Sequence, residues 1–250
     1  MVPKIVNIDL PKSWAELTDA QLYYVYNLLA ENLSGAQIKT YCLFLWAKIK
    51  IVCRYGDGYL LRKGKLEFYA SAPIIHDAIH ALDYIEDIAR PMPVRISTIK
   101  KHKALDAQFI GVPFERFLYI DNLYQGYLHS QQHSLLDEMG NLLYDTENLS
   151  LNRAEKMNVF YWWMALKDMF NARFPNFFVP VQGDDQNLMG NAKPISRQLQ
   201  EAMDAQIRAL TKGDITKERE VLAMDTWRAL TELDALAKES EEIRRKYGTH

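Results

Sequence analysis

The residues whose types and spacing most suggest chemistry are two histidines in the segment HDAIH, His76 and His80. Two histidines four positions apart share one face of a helix, where zinc proteases hold their metal and place a glutamate between the ligands. Here the corresponding residue is Asp77, whose side chain is one methylene shorter, and Asp83 falls on the same stripe of the helix. This pattern is compatible with a metal site of His76, His80 and Asp83, but also with the solvent-exposed face of an amphipathic helix. We favour the exposed face, because no further ligand stands at a typical spacing.

Two other polar groups resemble metal sites only weakly. His129 and His133 repeat the four-residue spacing, but the segment between them predicts a helix junction. Asp184 and Asp185 lie in a loop that lacks the regular oxygen-ligand spacing of a calcium-binding EF-hand. We therefore expect a polar junction and an exposed turn, and we predict no metal or other cofactor.

One segment carries a local excess of positive charge. Residues 90–103, RPMPVRISTIKKHK, contain five lysines or arginines, one histidine and no acidic residue. Nucleic-acid sites usually combine such cations with aromatic side chains that stack on bases, and this segment has none. A solvated loop is therefore the favoured interpretation, and binding of nucleic acid or of an acidic protein surface is a weaker alternative.

The composition gives no global reason to expect nucleic acid or membrane as a partner. Thirty basic and 32 acidic residues leave a net charge of −2, and the two cysteines are too few for a disulfide framework. The N-terminus lacks the apolar core of a secretory signal, and the longest apolar stretch, residues 40–53, is shorter than the ~20 residues of a membrane span. We expect a protein of the cytoplasm, with Cys42 as an unreactive apolar side chain.

Periodicity and end signals predict a mainly α protein, a multi-helix globular domain with a small β-hairpin and a long C-terminal helix. A capping-box pattern at Thr18 opens the first helix. The predicted helices cover residues 18–32, 36–52, 73–89, 113–129, 134–144, 152–172, 194–210 and 217–247, and the hairpin pairs residues 59–62 with 66–69. Residues 90–112 are irregular, with a weak strand candidate at 94–97. They divide an N-terminal region, 1–112, from a C-terminal region, 113–250, although one continuous domain is also compatible with the pattern.

The helix predicted at 152–172 contains four consecutive aromatic residues, Phe160, Tyr161, Trp162 and Trp163. Consecutive side chains point all around a helix axis, so a single neighbouring layer cannot bury them. Either this helix is central or part of it meets another chain. Phe177 and Phe178, in the loop that follows, are further candidates for a partner-binding surface.

The C-terminal helix has a sparse apolar stripe that includes Trp227, Leu230 and Leu233, surrounded by charged residues. A stripe this narrow suits packing against one neighbour, either within the chain or from another subunit. We expect this helix to form an arm.

Three segments carry a resemblance to a known group of proteins. They are LLDEMGNLLY (135–144), WWMALKDMFNARFPNFF (162–178) and IRALTKGDITKEREVLAMDTWRALTELDALAKESEE (207–242), which together span about the last 115 residues. They resemble uncharacterised tail-region proteins of phages and prophages of gut Bacteroides-type bacteria, encoded near the tape-measure protein where tail-assembly chaperones commonly stand. The family has LYR where this chain has Leu143, Tyr144 and Asp145, so no role of that arginine carries over. The resemblance implies a helical, non-enzymatic protein and supplies no catalytic residues.

The sequence therefore predicts a non-enzymatic phage protein, similar to a tail-assembly chaperone. The resemblance implies partners such as the tape-measure or tail-tube protein, and a homo-oligomer is compatible with it. The predicted partner-binding residues are Phe160, Tyr161, Trp162, Trp163, Phe177, Phe178, Trp227, Leu230 and Leu233. The alternatives are a structural subunit of the virion neck or tail and, from another class, a metal-dependent hydrolase built on the HDAIH helix.

Overall fold

A computed structural model describes residues 6–87, 93–178 and 195–247. Within these residues the chain is mainly helical, as the sequence predicts, and contains one three-stranded antiparallel sheet. The helices are α1 (Asp19–Ala30), α2 (Gly35–Trp46), α3 (Ala72–His80), α4 (Phe114–Ser130), α5 (Ser134–Leu143), α6 (Arg153–Arg173), α7 (Ile195–Thr211), α8 (Glu218–Leu222) and α9 (Thr226–Tyr247). The strands are β1 (Ile49–Tyr55), β2 (Gly58–Lys63), β3 (Leu66–Ser71), β4 (Thr98–Ile99) and β5 (His102–Lys103).

Three of the helices begin at complete capping boxes. Thr18, Ser34 and Asn152 each accept a hydrogen bond from the backbone N–H three residues on, and the side chain of that residue accepts one from the cap's own N–H. These bonds satisfy donors that a helix start leaves unpaired. The box predicted at Thr18 is confirmed.

The second predicted helix ends earlier than the sequence indicates. Its apolar run continues to residue 52, but α2 ends at Trp46 and the chain turns at Lys48, whose φ is 55°. Left-handed backbone is rare for a residue other than glycine, so nothing in the sequence marks this turn. The remaining apolar residues form β1, which pairs with β2. The predicted hairpin, β2 with β3, is confirmed and is part of a sheet with strand order β1, β2, β3.

The helix predicted at 73–89 is also shorter. It ends at His80, and a 3₁₀ turn, Asp83–Glu86, follows because Leu82 and Ile85 insert their side chains into the core. The strand candidate at 94–97 is wrong. The local strands are β4 and β5, joined by a turn in which Lys100 and Lys101 both have positive φ.

The main core combines residues from both sides of position 112. α1 packs against α6, α4 packs against α5, and α5 also contacts α6. A smaller core lies under the sheet, where Ala47, Ile49, Leu61 and Ala70 are buried. No described helix is both long and apolar enough to cross a bilayer.

A buried polar network joins the segment after residue 93 to the helices. The Ile96 N–H donates to Asn158 Oδ1 at 2.8 Å, and Asn158 Nδ2 donates to the Tyr144 hydroxyl at 2.9 Å. The Tyr144 hydroxyl donates in turn to the Ile96 carbonyl at 2.7 Å, which closes the ring. Because Asn158 has no exposed surface, these bonds replace water completely.

Candidate functional site

The two histidines of the HDAIH segment, His76 and His80, lie on the exposed face of α3. The rings of His76 and His80 are in contact, with centroids 4.6 Å apart, and His80 Nδ1 is 2.9 Å from Asp83 Oδ2. The other carboxylate oxygen of Asp83 accepts a hydrogen bond from Lys39 at 2.6 Å. His80 thus contacts both of the other residues of the metal hypothesis, His76 and Asp83, and Asp83 also binds a cation, Lys39.

Electrostatics in this cluster centre on Lys39, which is largely buried and also lies 3.0 Å from Glu86. Desolvation opposes its charge, but the hydrogen bonds that Lys39 donates to Asp83 and Glu86 raise the pKa of Lys39. The hydrogen bonds of Lys39 and then of His80 lower the pKa of the exposed Asp83 carboxyl. Gly35 leaves room for Glu86, because a Cβ there would stand 2.5 Å from its carboxylate.

The cluster works as a set of ion pairs that ties α2 to the turn after α3. Lys39 already supplies the cation for Asp83, so a metal at the same carboxylate would meet a positive charge at hydrogen-bond distance. Across the three described ranges, no three histidine, cysteine, aspartate or glutamate side chains are grouped so as to hold a metal ion.

The remaining polar candidates are separated. His129 lies near the end of α4 and His133 caps α5, with a left-handed Gln131 between them. Asp184 and Asp185 lie outside the described residues. In the basic segment, Arg95 donates to the Leu105 carbonyl at 2.7 Å, so it is used within the chain.

The four aromatic residues of α6 divide into two pairs. Trp162 and Trp163 are fully buried, and the Trp163 ring contacts Phe109 and Phe117. The prediction that these two tryptophans contact a partner is therefore wrong, because neighbouring helices cover them. Phe160 and Tyr161 are only partly buried and remain accessible.

The other predicted contact residues pack mainly within the chain. Trp227 donates to the Gln108 carbonyl at 2.8 Å, while Leu230 and Leu233 are buried. The prediction of partner contact is wrong for these two leucines, and the first half of α9 is not an arm because it packs on the core. Phe177 and Phe178 are half-buried, with Lys167 Nζ 4.6 Å from the Phe178 ring centroid.

One face of the sheet presents an apolar surface that the sequence analysis did not identify. Cys53 stands opposite Leu60, Leu60 stands opposite Tyr69, and the Tyr55 ring lies 6.2 Å from the Tyr69 ring. Paired residues in adjacent strands point to the same face, so these four side chains form a continuous patch. We call it the outer sheet face. Tyr55 is 68% exposed and Tyr69 45%, which leaves the patch open to a partner.

A cavity of about 680 Å³ between α4, α5 and α6 is a second feature that sequence reasoning missed. Its lining joins aromatic and aliphatic side chains to cationic ones: Tyr127, His133, Leu136, Leu151, Asn152, Arg153, Lys156, Met157, Phe160 and Tyr161. We call it the α6 pocket. Five of these residues recur at helical spacing along α6, and this recurrence was a signal in the sequence that could have located the pocket.

No protein-family model, no curated protein and no solved structure matches this chain significantly.

Proposed function

We propose that this chain is a non-enzymatic protein that acts through contacts with other proteins during phage tail assembly, in the manner of a tail-assembly chaperone. The tail setting comes from the resemblance of the last 115 or so residues to phage tail-region proteins. The observation that carries the binding role is the outer sheet face.

The concentration of accessible apolar side chains near the sheet supports this role. Seven of the fourteen exposed large hydrophobic side chains in the described residues lie between positions 41 and 74. Four of them belong to β1 and β3, and the outer edge of β1 pairs with no other described strand. Contiguous exposed apolar surface is typical of protein-binding sites, and an open strand edge adds backbone donors and acceptors.

Charge distinguishes a foreign partner from a second copy of the chain at this edge. If two β1 strands paired antiparallel about Val52, Lys50 of each would stand opposite Arg54 of the other. Like charges in directly opposed positions destabilise a strand pair. Neither residue forms an ion pair with a described acidic side chain, so a partner segment with acidic residues at those positions fits better.

The test is co-purification of the chain with fragments of the tape-measure and tail-tube proteins from the same phage. We expect a stable complex, which the paired substitution Tyr55→Thr and Tyr69→Thr weakens at least tenfold. Threonine is β-branched and, like tyrosine, is common in strands, so the sheet should persist. The matched control is Ile215→Thr, which removes a residue that is 83% exposed and outside the patch. A complex unaffected by the paired substitution, or no complex with either protein, contradicts the proposal.

A permanent virion subunit is the related alternative, and particle composition separates the two roles. A chaperone leaves before the tail is complete, so mass spectrometry of purified particles should detect no peptides of this chain. Stoichiometric peptides in mature particles would replace the chaperone role by that of a neck or tail subunit.

A further inference from the structure

The lining of the α6 pocket has a fixed order along one helix. Arg153, Lys156, Met157, Phe160 and Tyr161 follow the i, i+3, i+4, i+7, i+8 pattern, which places them on one face of α6. At a rise of ~1.5 Å per residue, the first and last of these residues are roughly 12 Å apart along the axis. The pocket is therefore cationic at one end and aromatic at the other.

The aromatic end is preformed by ring contacts. Phe160 lies 5.6 Å from Tyr127 and 5.7 Å from Tyr124, while Tyr161 stacks on the buried Tyr26 at 6.1 Å. These neighbours hold the rings in place, so a ligand side chain entering between them would order little new structure.

The cationic end has positive charge that the chain does not neutralise. Lys156 lies 2.7 Å from Asp137, which also accepts the Leu151 N–H. Glu155 accepts the N–H of Asn152 in the capping box. Arg153 donates to the Ala30 carbonyl at 2.8 Å and forms no ion pair with a described acidic residue.

Arg153 is suited to a carboxylate ligand. A guanidinium has five N–H donors in a planar fork, and the bond to Ala30 uses one of them. The side chain is exposed at the mouth of the pocket, next to the exposed Asn152 and His133. An anion held there would leave an attached apolar group within reach of Phe160 and Tyr161.

We propose that the α6 pocket binds the C-terminal residue of a partner polypeptide, with the terminal carboxylate at Arg153 and an aromatic or large aliphatic side chain between Tyr127, Phe160 and Tyr161. This inference rests on the proposed function as a protein-binding chain and names a second contact site. The cationic end opens to solvent, so the rest of the partner chain leaves the pocket there. The volume, about 680 Å³, is large enough for one or two residues.

A second cavity provides an internal comparison. It measures about 720 Å³ and lies between α4, α5 and α7, where its lining includes Glu138 and Glu147 and no lysine, arginine or histidine. It offers no cation to a carboxylate, which is why the chain-end ligand is assigned to the α6 pocket.

The experiment uses the full chain and a fluorescent peptide with the C-terminal sequence Gly-Ser-Gly-Ser-Phe, followed by fluorescence anisotropy. The peptide with a free carboxylate should bind at least tenfold more tightly than its C-terminal amide. A peptide that ends in serine should lose most of the affinity, because it leaves the aromatic end empty. Equal binding of the acid and the amide overturns the proposal.

Substitutions locate the binding site. Arg153→Gln should lower the affinity for the free acid about tenfold and leave that for the amide unchanged, and Arg153→Lys should restore most of the difference. Arg228→Gln, at an exposed arginine on α9, is the matched control and should change neither. An unchanged affinity in Arg153→Gln places the carboxylate elsewhere and contradicts the assignment.

Two further comparisons separate the possible sources of the ligand and the two proposals. 3-Phenylpropionate is used as a competitor of the peptide. If its inhibition constant equals the dissociation constant of the peptide, the site recognises a free aromatic acid and the polypeptide assignment is wrong. Peptide binding requires no tail protein, so it can succeed when co-purification with tail proteins fails. If co-purification with the tail proteins succeeds and the peptide does not bind, only the proposal for the α6 pocket is contradicted.

Discussion

The ring of hydrogen bonds among Ile96, Tyr144 and Asn158 allows a quantitative prediction of stability. Asn158→Ala removes two of the three bonds and leaves the Ile96 N–H buried without an acceptor. An unpaired buried donor costs about 1–3 kcal/mol, and the small cavity adds to that cost. We expect the free energy of unfolding to fall by about 2–4 kcal/mol. Since small domains are typically stable by about 5–15 kcal/mol, this loss is large.

Tyr144→Phe tests the same ring from the other side. It leaves the Ile96 carbonyl without its donor and Asn158 Nδ2 without its acceptor, and we expect a loss of about 1–3 kcal/mol. Both substitutions remove the Asn158–Tyr144 bond. The double variant should therefore be less destabilised than the sum of the singles, by about 1 kcal/mol or more.

Equilibrium unfolding in urea, followed by tryptophan fluorescence, measures these differences. The Trp162 ring lies 6.2 Å from the Tyr144 ring and reports on this part of the core. The slope of free energy against urea should be unchanged, because the surface exposed on unfolding is the same. Tyr119→Phe, at an exposed tyrosine, is the control and should stay within about 0.5 kcal/mol of the parent. A loss below about 1 kcal/mol for Asn158→Ala, or strict additivity in the double variant, would refute the reasoning.

Three further predictions concern thiols, a glycine and alkaline pH. Cys53 is exposed, whereas burial raises the pKa of the Cys42 thiol to about 12, so Ellman's reagent should titrate one thiol in the folded chain and two in denaturant. Rapid reaction of both thiols in the folded chain would contradict this. Gly140→Ala should lower the free energy of unfolding by up to about 2 kcal/mol, because the new Cβ would lie 2.6 Å from a methyl group of the buried Leu151. Gly126→Ala, whose nearest side-chain atom would be 3.4 Å away, should raise it by up to about 1 kcal/mol. Urea unfolding measures both changes, and equal shifts would contradict the packing argument. Burial raises the pKa of Tyr124 to about 12, above the ~10 of an unfolded tyrosine. Its contribution to stability is therefore complete below about pH 10 and is lost as the pH rises from about 10 to 12. Urea midpoints that stay constant over that pH range would contradict the burial.

The helix positions were largely predictable because local signals set them. The capping box at Thr18 and the apolar spacing of α4 and α6 gave ends within a few residues of those observed. These signals act over one or two turns, and a sequence displays them directly. The sequence does not predict β1, because this strand begins after the left-handed turn at Lys48. Pairing with β2 favours that turn, and no glycine or asparagine marks it in the sequence.

The candidate binding surfaces were harder to predict. The composition indicates an unusually aromatic α6, but rings three positions apart on this helix differ in their exposure. Trp163 is buried against α4, whereas Phe160 lines the pocket. Only the arrangement of neighbouring helices separates these roles. The outer sheet face could not be predicted for a related reason. Leu60 and Tyr69 are cross-strand neighbours, and the sequence alone does not give the strand register that places them side by side.

The packing of α1 against α6 has a consequence for synthesis of the chain. Tyr26 of α1 stacks on Tyr161, and Arg153 donates a hydrogen bond to the Ala30 carbonyl at the end of α1, so these two partners of α1 are made more than a hundred residues later. While the ribosome is still translating the intervening segment, the part of α1 that packs against α6 has no native partner, although Trp14 and α2 already contact α1. During that interval the nascent chain itself needs protection from aggregation, and its yield should depend on the speed of elongation between α1 and α6.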